Sequence, residues 1–180
     1  MKARISFDLS KEFLDQVNHS IQEHHLPRIE RCLKTLSEED IWWRPNEASN
    51  SVGNLVLHLS GNVRQWIISG LGGAPDRRVR DQEFVECGPI PRRALLALLR
   101  RTVREAARVL DRLPADELAR ARPIQKFEVT GFTAAFHVAE HFAFHSGQII
   151  YVAKMKRGVD LGFTRLPGEK NRKASRLTQV

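Results

Sequence analysis

Residues 130–158 read T-G-F-T-A-A-F-H-V-A-E-H-F-A-F-H-S-G-Q-I-I-Y-V-A-K-M-K-R-G, and the fold is decided here. Thr130 is a good N-cap residue, and Gly158 is a natural residue just past a helix end. Lys154, Lys156 and Arg157 stand where a helix carries its partial negative charge. The stretch predicts one helix from about Gly131 to Arg157, with no interruption.

Working outward, three more segments carry helical periodicity. The first runs from about Ser10 to Leu36 and places Phe13, Val17, Ile21, Ile29, Cys32, Leu33 and Leu36 on one face. Pro27 lies inside it and is expected to kink or split it. Ser37-Glu38-Glu39-Asp40 then opens a short capped turn carrying Ile41, Trp42 and Trp43, followed by a polar loop over 44–50. The second helix starts at Asn50 or Ser51 and reaches about Gly70. It is apolar around much of its circumference, so it is expected to be central, with Gly53 and Gly61 allowing a neighbour to approach closely. Residues 70–91, rich in Gly, Pro and charge, read as a long connection. The third helix spans about Arg92 to Leu113, with Leu95, Leu96, Leu99, Val103 and Leu110 in its core stripe and Pro114 at its end. One extended piece, Phe127-Glu128-Val129, precedes the last helix. No alternating set of strands appears. The expectation is an all-α four-helix bundle over residues 1–163, with a long crossover between helices 2 and 3. A basic C-terminal tail over 164–180, containing Pro167 and Gly168, is expected to be flexible and to extend off the core.

Composition narrows the function classes. Hydrophobic residues at 42% and charged residues at 28% are ordinary for a soluble globular protein of 180 residues. No apolar run reaches the ~18 residues of a membrane span, and residues 1–8 lack the apolar core of a secretory signal. Two cysteines, Cys32 and Cys87, are too few for a disulfide framework, so a reduced, cytoplasmic protein is expected. The net charge of +8 and pI of 10.1 raise nucleic acid as a partner. The arginines are scattered rather than striped, and nucleic-acid binding is therefore not the expected function. P-loop, G-x-G-x-x-G, Cys-rich metal and Ser-His-Asp patterns are all missing.

The chemistry lies in His137, His141 and His145, four residues apart. Side chains at i and i+4 are neighbours on a helix, so adjacent imidazoles can share a cation. His137 and His145 are about 12 Å apart along the axis, too far for one ion to take all three. A single site needs one i,i+4 pair and a ligand from another helix. His58, in the middle of the apolar second helix, is the best candidate, because an unpartnered buried imidazole is costly. Asn54 and Asn62 flank it one turn away on either side and are candidates to hydrogen-bond its other ring nitrogen or a bound water. Gln148, three residues after His145, can reach a bound water or substrate. His19, His24 and His25 lie in polar surroundings and are weaker candidates. Three neutral imidazoles with open positions suit a catalytic metal site, which activates water, polarises a substrate or binds a thiolate. Trp43 and Trp66 read as core or pocket wall, and Cys87 as a bystander.

These residues resemble a known family. N-S-V-G-N-L-V-L-H-L-S-G-N-V-R-Q-W-I at 50–67, with H-V-A-E-H-F-A-F-H-S-G-Q-I-I-Y at 137–151, is similar to the DinB/YfiT-like metalloenzyme superfamily, and to a branch of it without assigned function. The resemblance covers the chain to about Phe163. It implies a four-helix bundle of up-down-down-up topology and a divalent metal, nickel or zinc, held by His58, His141 and His145. His137 becomes an extra residue of the surrounding shell or cavity wall. The resemblance further implies homodimers and a small-molecule substrate, with a low-molecular-weight thiol such as bacillithiol, mycothiol or glutathione as co-substrate of a transferase or isomerase. Metal-dependent hydrolysis is a neighbouring reading. Two others are a non-catalytic small-ligand-binding protein and a stress-linked protein touching nucleic acid through its tail.

Overall fold

The computed structural model describes residues 8–163. The basic tail expected at 164–180 lies outside the described residues, apart from which one continuous core organises the chain.

The elements are mostly helical. Asp8 caps α1 (Leu9–His19) by accepting from the backbone N–H groups of Ser10 and Lys11. A π-helical segment, Ser20–His25, leads into α2 (Leu26–Thr35). Pro27 does not split this helix. The backbone stays helical through His25 and Leu26, and the wide turn stands where proline provides no N–H and crowds the carbonyl four residues earlier. The short α3 (Glu38–Trp42) opens with the expected capping box of Ser37 and Asp40.

Ser51 and Asn54 form a second capping box on α4 (Val52–Val63), which continues as a π-helical segment, Arg64–Ser69. α4 is almost entirely buried and packs against both α6 (Arg92–Leu110) and α7 (Gly131–Arg157). The long connection between these helices is not structureless: it contains α5 (Gln82–Val85), which sits on α4. A 3₁₀ turn, Ala115–Leu118, and an antiparallel hairpin follow α6. Its strands, β1 (Ala121–Ile124) and β2 (Phe127–Thr130), pair from Ala121–Thr130 to Ile124–Phe127. Only the second strand was expected as an extended piece.

α7 begins and ends as its sequence dictates. Thr130 accepts from Thr133 N–H, and Gly158 closes the helix at φ +61°, donating to the Lys154 carbonyl at 2.8 Å. Its inner face buries Ala134, Val138, Phe142 and Ile149 against α2 and α4. No helix among the described residues is long and apolar enough to cross a membrane.

Candidate metal centre

α4 and α7 bring His58, His141 and His145 to one point. Each offers a ring nitrogen, and these atoms all lie within 4.8 Å of one another. The Nε2 atoms of His58 and His141 are 2.9 Å apart. Among the described residues this is the one group of three or more histidine, cysteine or acidic side chains placed to hold a metal. His58 and His145 are 5% and 9% exposed, so water does not compensate the rings and their partners must.

Each ring is oriented by a second contact. His145 Nδ1 donates to Gln148 Oε1 at 2.7 Å, which leaves Nε2 for the centre. His58 Nδ1 lies 2.8 Å from Glu83 Oε2. A carboxylate only accepts, so the hydrogen sits on Nδ1 and the Nε2 lone pair faces the other two histidines. Without an ion, His141 Nε2–H is then the donor to His58 Nε2. Were His141 to hold a cation through Nε2, its hydrogen would sit on Nδ1 instead, a change of tautomer with no change of charge.

Electrostatics keep the rings available as ligands. Burial, followed by the other histidines and Arg78, pushes His141 down to about 3. Burial also lowers His145 and His137 below the ordinary imidazole value. Neutral imidazole is the form that ligates metal. Burial alone would raise the Glu83 carboxyl, but hydrogen bonds from Arg78 and His58 outweigh it and hold the group below its usual range.

His137 stands apart. Its Nε2 accepts from Asn62 Nδ2 at 3.1 Å, and its ring packs at a 37° tilt against Trp66, 4.1 Å between centroids. It forms a wall of a cavity of about 390 Å³. His58, Trp66 and His141 line that cavity from the helices and Arg78 from the connection; Gln125, Phe127 and Val129 line it from the hairpin.

Two expected contacts are corrected. Asn54 does not reach the His58 ring: its Oδ1 accepts from Ser51 and Arg44, and its Nδ2 donates to the Glu83 and Glu86 carbonyls. As the third residue of its helix, Asn54 completes the capping box, so its amide faces the helix start rather than the ring. Asn62 contacts His137 instead of His58. His24 hydrogen-bonds Arg28, and His25 packs near Phe142, neither within the centre. Glu83, Arg78 and Gln65 were not singled out from sequence. Residues 70–91 contain Asp76, Asp81, Glu83 and Glu86, and no spacing distinguishes one acid from the others. Gly61 was the available signal: a Cβ there would collide with Glu83 Oε1, so the close approach read from this glycine is that of the carboxylate.

Residues 8–169 match the model of a family described as a protein of unknown function, DUF1572. None of the curated proteins is significantly similar in sequence. A conserved protein from Enterococcus faecalis shares the fold at a TM-score of 0.64 and 18% identity, over 83% of this chain and 96% of that one. A DinB-like protein, YjoA, from Bacillus subtilis does so at 0.59 and 20% identity, over 88% of this chain and 99% of that one.

Proposed function

Since the chain belongs to the DUF1572 family and is DinB-like in fold, we propose that it is a metal-dependent enzyme of small molecules, a thiol S-transferase. The observation that carries this reading is the convergence of His58, His141 and His145 beside a cavity. The donor set fits a divalent ion of the nickel or zinc kind: three imidazoles, with oriented second nitrogens on two of them. Such an ion supplies Lewis acidity, lowering the pKa of a ligating thiol or water so that a nucleophile exists near neutral pH.

The chain's own residues do the rest. His58, His141 and His145 hold the ion, and Gln148 and Glu83 hold two of those rings. His137 and Trp66 give the cavity an aromatic wall against which a small electrophile is oriented. Phe127 and Val129 of the hairpin restrict water from the other side. In the overall reaction a sulfur–carbon bond forms, the leaving group departs, and the thiol proton passes to solvent or to that group.

Three further features belong to this reading. The long helical segments Leu9–Thr35, Val52–Ser69, α6 and α7 form a four-helix bundle. The protein works in a reducing compartment, the cytoplasm, consistent with two free cysteines. It acts as a homodimer joined by the outer face of α7. Phe132, Phe136, Phe144, Tyr151 and Met155 are exposed there, and residues 131–153 contain no Lys or Arg. In a chain of net charge +8, that is a surface on which two copies meet without setting lysines or arginines against each other.

Metal analysis and calorimetric titration of protein without a histidine tag test the centre. One divalent cation per chain is expected in the wild type and none in His58→Ala. Equal metal content in the two, or no metal in either, overturns it. A thiol-transfer screen with metal-loaded and metal-stripped protein tests the reaction, with turnover expected only when loaded.

A further inference from the structure

Neutral imidazole has two tautomers, and only one leaves His58 Nε2 unprotonated toward His141 and His145. The side chain that decides between them is fixed with unusual completeness. Arg78 Nε donates to Glu83 Oε1 at 2.7 Å, and Arg78 Nη2 donates to Oε2 at 2.8 Å, a two-point clamp. Arg78 Nη2 also lies 3.1 Å from His58 Nδ1, and it gives one of its two hydrogens to Glu83 Oε2. A bare Nδ1 only 2.8 Å from Oε2 would set two lone pairs against each other, so the contact with the carboxylate keeps the ring hydrogen on Nδ1. The carboxylate rests against the bare backbone of Gly61, where a Cβ would collide with it. Asn54 Nδ2 separately ties down the Glu83 carbonyl at 2.9 Å. Main chain and side chain of Glu83 are thus each held in place, by residues of α4 and by Arg78.

We propose that Glu83 is a positioning residue for His58: clamped by Arg78, it keeps the ring hydrogen on Nδ1 and presents Nε2 to the centre. The consequence for metal affinity rests on the metal reading above, but the tautomer exists with or without an ion. A carboxylate behind a ligating imidazole makes the ring a stronger donor to a cation, and loss of such a partner typically weakens metal binding by roughly 10- to 100-fold. The clamp extends outward. Gln65 Oε1 accepts from Arg78 Nη1 at 2.9 Å and from Gln125 Nε2 at 2.5 Å, so the hairpin turn is joined through Arg78 to the same carboxylate.

Two readouts test this. In the first, nitrogen-15 NMR of the metal-free protein reports the His58 tautomer, with the signal assigned by its loss in His58→Asn. Wild type and Glu83→Gln are expected to show Nδ1–H, because glutamine still offers an acceptor oxygen. Glu83→Ala is expected to populate Nε2–H. In the second, titration with cobalt(II), followed by its visible absorption, is expected to give a Kd roughly 10- to 100-fold weaker in Glu83→Ala and a smaller loss in Glu83→Gln. Gly61→Ala removes no polar group but displaces the carboxylate, so both readouts should move as in Glu83→Ala even if that variant folds poorly. An unchanged tautomer, with a cobalt Kd within about two-fold of wild type in Glu83→Ala and Gly61→Ala, overturns the proposal. If wild type binds no cobalt, the metal reading falls and the tautomer alone decides whether Glu83 positions His58.

Discussion

His137 and His145 stand one helical turn on either side of His141, yet only His145 shares its centre, because their second contacts differ. His137 gives its Nε2 to Asn62, while His145 gives its Nδ1 to Gln148 and keeps Nε2 free. His137→Ala is therefore expected to retain one metal per chain, and His145→Ala to lose it, by elemental analysis after dialysis. The same burial predicts a pH dependence. In the folded, metal-free chain His25 is pushed down to about 4 and His141 to about 3, in both cases chiefly by burial, against an ordinary value of 6.5. Between those values the unfolded chain binds more protons than the folded one, so stability is complete above 6.5 and is lost as pH falls. Each group is expected to forfeit about 1 kcal/mol or more by pH 5. Thermal unfolding at pH 7 and pH 5 checks it: a midpoint that does not fall on acidification contradicts the assignment, and His25→Gln should reduce the fall.

At the scale of elements, packing around α4 makes a sharp prediction. The Trp42 ring is held between Gly53 of α4 and Gly88 of the connection, with Nε1 donating to the Ile90 carbonyl at 3.3 Å. Gly53→Ala puts a methyl group into that ring and is expected to cost about 1–3 kcal/mol in urea unfolding despite the better helix propensity of alanine. The elements that could be read from sequence were those carrying both a period and an end signal. Thr130 and Gly158 bracketed α7, and Leu95, Leu99, Val103 and Leu110 marked the buried side of α6. The first strand could not be read, because A-R-P-I at 121–124 has proline inside it and no alternation. α5 is four residues long, shorter than any helical period can reveal, and it carries Glu83. The candidate site was accordingly legible in part: spacing gave the α7 histidines and burial gave His58. The hydrogen bonds behind His58 come from a connection whose path no local pattern encodes.

For the whole molecule, charge and apolar surface are distributed unequally. Phe144 and Tyr151 are 63% and 71% exposed on a helix whose outer side holds Glu140 and no cation before Lys154. Phe144→Lys combined with Tyr151→Lys is expected to convert a dimer into a monomer in sedimentation equilibrium, with unchanged helical circular dichroism. A wild-type protein that sediments as a monomer at every concentration removes the dimer from the picture. The unequal distribution also fixes the sign of a salt effect. Two chains of charge +8 joined on a stretch without Lys or Arg would still repel through the rest of their surfaces, and that repulsion is screened over about 8 Å at physiological ionic strength. Added salt should therefore tighten the association of this protein with itself, whereas it would loosen any complex held by phosphate groups.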